Sequence, residues 1–190
     1  FMDNNGKLVL NCCGEKLSKI ASIDSSKVSA ELLASSFIAA CDVDTVFYGE
    51  DGATKVFAPQ KGASDSDIRI LENGMQSLAS NIFREYGIDL GEIAGSGAAG
   101  GTGGALFAFL NGKLCKGADL ILNAARFEDI IEDSDLIITG EGRIDCQTFC
   151  GKLPSRVLSR VSDKGIPVLA IAGIVNLSNE DICNSGFASI

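Results

Sequence analysis

The chain has 190 residues, 46% of them apolar, and a formal net charge of −9. That is enough for one good core or two small ones, and the acidity, with no Lys/Arg block to offset it, argues against a nucleic-acid binder. Histidine is absent, which excludes a Ser–His–Asp or Cys–His triad and the usual mononuclear zinc sites.

No stretch approaches the ~18–20 consecutive apolar residues of a membrane span. The polar start, FMDNNGKLVL, is unlike a signal peptide. Seven cysteines without a CxxC pair suit mostly reduced, often buried thiols. A cytoplasmic protein is the expectation.

In chain order, residues 1–60 read as short strands and turns, with strands expected at 7–10, 37–43 and 55–57 and short helices at 15–21 and 30–36. Gly49 to Gly52 forms a turn, and PQKGA at 59–63 breaks the pattern. The clearest helix follows. Ser64 and Asp67 make a capping-box pair, and Ile68, Leu71, Met75, Leu78, Ile82 and Tyr86 recur at helical spacing until Gly87. That stripe is core packing.

Residues 95–104, GSGAAGGTGG, open an apolar helix that continues to Leu110. Gly95, Gly97 and Gly100 match the dinucleotide fingerprint in form, but no buried strand precedes them and no acidic residue ends a second strand at the required distance. Two readings stay open. Glycines before a helix let backbone N–H groups converge on an anion, or they let two backbones pack closely.

Helices are expected at 118–125 and 127–131, then the acidic 132–135, then a short apolar strand at 136–138 of the kind buried on both faces. Directly after that strand, Glu141, Arg143, Asp145, Gln147, Thr148 and Lys152 crowd together among glycines. Pro154, Val157, Leu158 and Val161 give a helix up to Gly165, residues 168–172 a second strand, and 186–190 a final one. This is a parallel βαβ unit, and open α/β sheets place ligands at the carboxyl ends of their strands. A polar surface loop with a helix cap is the alternative for the same residues. Gly151-Lys152 is not a P-loop, because Cys146 stands where its first glycine belongs. Composition shifts from glycine-rich to regular α/β alternation near residue 130, so the expected division is 1–130 and 131–190.

Three stretches taken together, CDV…GEDGATKVFAPQKGA (41–63), GSGAAGGTGGAL (95–106) and DLIITGEGRIDCQTFCGK (135–152), followed by PVLAIAG (167–173), resemble the glycerate kinase family. The resemblance implies a Rossmann-like α/β domain with a second α/β domain inserted into it. Residues 1–130 would belong to the inserted domain and 131–190 to the Rossmann-like one. Family members are longer, and this chain resembles their middle and C-terminal part. Thr45-Val46-Phe47 stands where relatives usually have Asn-Pro-Leu, and Ala58 where they have glycine.

The implied activity is ATP-dependent phosphorylation of D-glycerate with Mg²⁺, a small-molecule reaction with no nucleic-acid or membrane partner. Under it, Glu141 and Asp145 are the candidate metal ligands, and Asp145 is alternatively the general base. Arg143 would grip a carboxylate or phosphoryl group, with Lys152 and Lys61 as further cations. Gly97, Gly100, Gly101, Thr102 and Gly103 would approach phosphate or glycerate, beside Gln60, Asp42 and Gln147 as binding residues. A non-catalytic anion-binding module or an inactive fragment is the competing expectation.

Overall fold

The computed structural model describes residues 1–190, apart from the side chains of Gln147 and Cys150. In the first part of the chain, α1 (Ala30–Ala34) leads into β1 (Ile38–Ala40), and α2 (Ala53–Phe57) precedes the long α3 (Asp65–Tyr86). Then come α4 (Ala98–Leu110) and β2 (Lys113–Cys115), which pairs in parallel with β1. Ser64 caps α3 through a complete capping box with Asp67, and left-handed Gly87 ends it, both as the sequence requires. The α3 stripe is core: Met75, Leu78 and Ile82 are buried with Ile20, Phe47 and Leu90.

Two expected strands take other forms. Residues 55–57 lie in α2, whose N-cap is Gly52 and whose Ala53 and Thr54 are buried; three residues are too few for periodicity to separate helix from strand. Residues 7–10 keep only a bridge from Leu8 to Met2. There the Asp3 carboxylate accepts the Asn5 and Lys7 amides, an Asx-type turn that competes with a ladder.

The second part begins with α5 (Gly117–Ala124) and α6 (Phe127–Ile130). It continues through β3 (Ile137–Ile144), α7 (Leu153–Val161), β4 (Val168–Val175) and α8 (Asn179–Asn184). β3 and β4 pair in parallel from Ile137↔Val168 to Ile144↔Val175. The expected final strand is a bridge from Ser189 to Leu169. The result is a mixed α/β chain with parallel strands.

Two-sided burial of residues 136–138 does not hold. Ile137 and Thr139 are buried, whereas Ile138 is 61% exposed, because α7 covers one face of the sheet. The division also falls elsewhere than expected: the compact units are Phe1–Cys115 and Lys116–Ile190. α5 belongs to the second unit because Leu122 is buried with Ile137, Val157 and Val161. Burial of the thiols is rarer than expected, with Cys41 buried and Cys12, Cys13, Cys146 and Cys183 exposed.

Ile82 is fully buried in the first core, so Ile82→Ala should destabilise that unit by ~2–5 kcal/mol. Urea denaturation would read the loss, and an unchanged midpoint would contradict the core assignment.

Candidate active site

β3 runs straight through the charged stretch, so Glu141 and Arg143 are strand residues. Two-residue alternation puts Glu141 on the face that carries Ile137 and Thr139, and the alternation breaks beyond it, where Ile144 turns into the core and Arg143 to the outside. Glu141 is half-buried there, and its Oε1 lies 3.5 Å from the Lys152 Nζ. Lys152 is the N-cap residue of α7, with Pro154 in the first turn, where proline's missing N–H costs nothing. The second carboxylate oxygen, Glu141 Oε2, is buried with no hydrogen-bond partner among the described residues. Arg143 is exposed.

Thr148 locks the connection between strand and helix. It is fully buried; its Oγ1 accepts the Asp145 N–H at 3.1 Å, and its own N–H donates to the Asp145 carbonyl at 2.9 Å. The Lys152 N–H then donates to the Thr148 carbonyl. One threonine therefore sets the spacing between Asp145 and Lys152. Gln147 was expected to bind substrate, and its side chain lies outside the described residues.

Behind Lys152 the same face of α7 carries two more cations. Arg160 donates to Glu128 Oε1 at 2.6 Å and to Asp119 Oδ1 at 3.1 Å. Arg156 Nε lies 3.6 Å from Asp119 Oδ2, too long for a hydrogen bond. Sequence reasoning passed over Arg156 and Arg160, although their spacing of four from Lys152 marks one helix face. The hydrogen bond from Arg160 holds the Glu128 carboxyl below its ordinary pKa.

In the first unit the glycine segment packs against a wall made by Thr45, Val46 and Phe47. A Cβ on Gly97 would overlap the Val46 carbonyl, and one on Gly103 the Gly95 carbonyl. At Gly101 and Gly104 it would come within 2.7 Å of the Phe47 ring. The Gly97 amide donates to Thr45, Gly101 to Gly97 and Gly104 to Ser96. Close packing thus explains Gly97, Gly101, Gly103 and Gly104, and the amides of three of them have backbone partners.

Gly100 is different. No atom lies within 4 Å of where its Cβ would be, and its φ is +70°. It lines a cavity of about 370 Å³ together with Lys61, Thr54, Cys12 and Cys13. Thr102 is exposed and donates to the Ala99 carbonyl. Gln60 and Lys61 sit exposed on the 3₁₀ turn Pro59–Lys61. Asp42 is exposed beyond β1, next to Cys41, whose Sγ is 3.7 Å from the Gly95 carbonyl. The structure therefore brings Glu141 and Lys152 together in one unit, with Asp145 tied by its backbone to Thr148 between strand and helix, and Lys61 and Gly100 in the other.

The family model described as the glycerate kinase family matches residues 1–190. The chain belongs to the glycerate kinase family. It is 43% identical to a glycerate kinase of Halalkalibacterium halodurans over 91% of this chain and 46% of that protein. It is 39% identical to the glycerate 2-kinase of Escherichia coli K12 over 84% of this chain and 42% of that one. The crystal structure of a Salmonella typhimurium LT2 protein described as a glycerate kinase 2 superposes with a TM-score of 0.77 at 36% identity, covering 97% of this chain and 53% of that one. The chain spans about half the length of these glycerate kinase relatives.

Gly100→Ala should cost ~1–2 kcal/mol from the left-handed backbone alone. Gly101→Ala should cost measurably more, because its Cβ also meets Phe47; equal unfolding midpoints for the two would contradict the packing. For the Arg160 clamp, a carboxyl whose folded pKa is depressed stabilises above its unfolded pKa and loses that contribution as pH falls through the folded one. Stability of the second unit should therefore hold from pH 7 down to about pH 5 and decline below ~4.5. Glu128→Gln should flatten that decline, as thermal melts across the range would read.

Proposed function

We propose that this chain carries the catalytic portion of an ATP-dependent kinase that phosphorylates a hydroxyl of D-glycerate. The observation that supports it most is the half-buried Glu141–Lys152 pair, next to Asp145 as a sequence from strand to helix held by Thr148, in a chain of this family. Residues 1–115 then contribute to an inserted α/β domain and 116–190 to a Rossmann-like one, in the cytoplasm. No helix among the described residues is long and apolar enough to cross a membrane.

A Mg²⁺ ion fits these residues. The orphaned, buried Glu141 Oε2 is an acceptor awaiting a cation, and Mg²⁺ needs only one or two carboxylates because it keeps several waters. Glu141 would hold it, and its bound charge would neutralise phosphoryl oxygens, which leaves Asp145 for its alternative role as general base. The chain's own part is positioning and proton transfer. Asp145 takes the proton of the glycerate hydroxyl while that oxygen bonds to the γ-phosphorus, and the bond to the bridging oxygen breaks to release ADP. Arg143 holds the glycerate carboxylate or the transferring group with its planar fork. Lys152 and Gln147 in the second unit, and Lys61, Gln60, Asp42, Gly100 and Thr102 in the first, are the further candidate contacts to phosphate or glycerate. Gly97, Gly101 and Gly103 let the segment that carries Gly100 pack closely. Because the E. coli relative is named a glycerate 2-kinase, the expected product is 2-phosphoglycerate.

The test is ADP formation from ATP with D-glycerate and Mg²⁺, using the longest natural form of the protein, with ³¹P NMR of the product. Asp145→Asn should lower kcat by ~10²–10⁴-fold, the usual range for a lost general base, with little change in melting temperature. ATP binding without glycerate-dependent turnover would instead favour a non-catalytic binding module.

A further inference from the structure

Glu72 carries none of the roles described above, yet it is a buried carboxylate, only 7% exposed, on α3. Its Oε1 accepts the Gly49 N–H at 2.7 Å and the Gln76 amide at 3.0 Å. Its Oε2 is buried with no hydrogen-bond partner among the described residues. A charged group is costly to bury, and helix packing alone would be served as well by leucine. What the carboxylate achieves is local: it fastens the turn at Gly49.

That turn is the foot of a continuous structure. Gly49 has a φ of +106°, and a Cβ on Gly52 would overlap the Tyr48 backbone, so the turn is tightly folded. The Ala53 N–H closes it by donating to the Val46 carbonyl at 3.0 Å. Val46 and Phe47 are the wall on which the glycine segment rests. The Gly97 N–H donates to the Thr45 carbonyl at 2.9 Å, and Gly101 and Gly104 press on the Phe47 ring. Against this wall Ala99, Gly100 and Gly101 are all left-handed, with φ of 50°, 70° and 101°. Three successive residues in that region persist only where the surroundings hold them.

We propose that Glu72 is a positioning residue: through the Gly49 turn and the Val46–Phe47 wall it holds the left-handed arch that presents Gly100 to the cavity shared with Lys61. Its importance for catalysis rests on the reading of Gly100 and Lys61 as substrate contacts; the coupling itself does not.

The test combines amide hydrogen exchange with kinetics on the longest natural form of the protein. Glu72→Leu should raise exchange at Gly49 and across residues 97–104 at least tenfold while the middle of α3 stays protected. It should also raise KM for ATP or glycerate about tenfold with kcat changed less than threefold. Glu72→Gln keeps an acceptor for the Gly49 N–H and should restore both. Should Glu72→Leu not fold, Glu72→Asp, one methylene too short to reach Gly49, replaces it with the same expectation. Faster exchange confined to 49–52, or spread evenly through the first unit, overturns the coupling, as does failure of Glu72→Gln to rescue. If the wild-type protein shows no glycerate turnover, the kinase reading falls and the exchange measurement still decides the coupling.

Discussion

Between the glycine segment and the wall at Val46–Phe47 there is no room for a β-carbon. The first unit is arranged around that close approach. Phe47 is almost fully buried, with α3 on one side through Met75 and Leu78 and the glycines on the other. Thr45 and Val46 supply backbone carbonyls on the way. Because Gly97 meets the Val46 carbonyl, and Gly101 and Gly104 the Phe47 ring, with no side chain of their own between, the first turn of α4 can run through three left-handed residues before the helix becomes regular. Gly100, at the apex, is then left with open space in front of it.

The second unit solves a different problem, which is how an acidic chain presents positive charge. With a net charge of −9, long-range attraction of anions is unavailable, so binding any anion would require positive charge concentrated locally. α7 does this with Lys152, Arg156 and Arg160 along one face. Asp119 and Glu128 occupy the two arginines, while Lys152, at the front of the helix, is opposed by Glu141 alone among the pairs of α7. Partly exposed ion pairs of this kind add modest stability; they also fix geometry, since Asp119 and Glu128 hold the rear of α7 while Lys152 at its front has Glu141.

Much of this was legible in the sequence. The capping box at Ser64 and Asp67, the α3 stripe and the parallel β3–α7–β4 unit follow from local chemistry and periodicity, although β3 runs on to Ile144 through a charged stretch expected as a loop. Short elements were not legible: residues 55–57 are helical because Gly52 caps them and Ala53 is drawn into the core, which no three-residue pattern announces. Leu136–Ile138 looked two-sided because an apolar run does not say which faces are covered. The glycines illustrate the limit best. Their density announced something unusual, yet only contact with Phe47 and Val46 separates those that pack from Gly100, which opens outward. The role of Glu72 had no sequence signal at all, since a glutamate inside a helix reads as a solvent-facing residue.

The close-packed arch also has a consequence at the level of the gene. Every glycine codon begins with two guanines, and any change at either of them that still encodes an amino acid introduces alanine, valine, serine, cysteine, arginine, tryptophan, aspartate or glutamate. Each of these carries the β-carbon that Gly97, Gly101, Gly103 and Gly104 cannot accommodate without a shift in their neighbours. Point substitution therefore has no mild first step in this segment, and it should accumulate silent third-base changes while the encoded residues stand still.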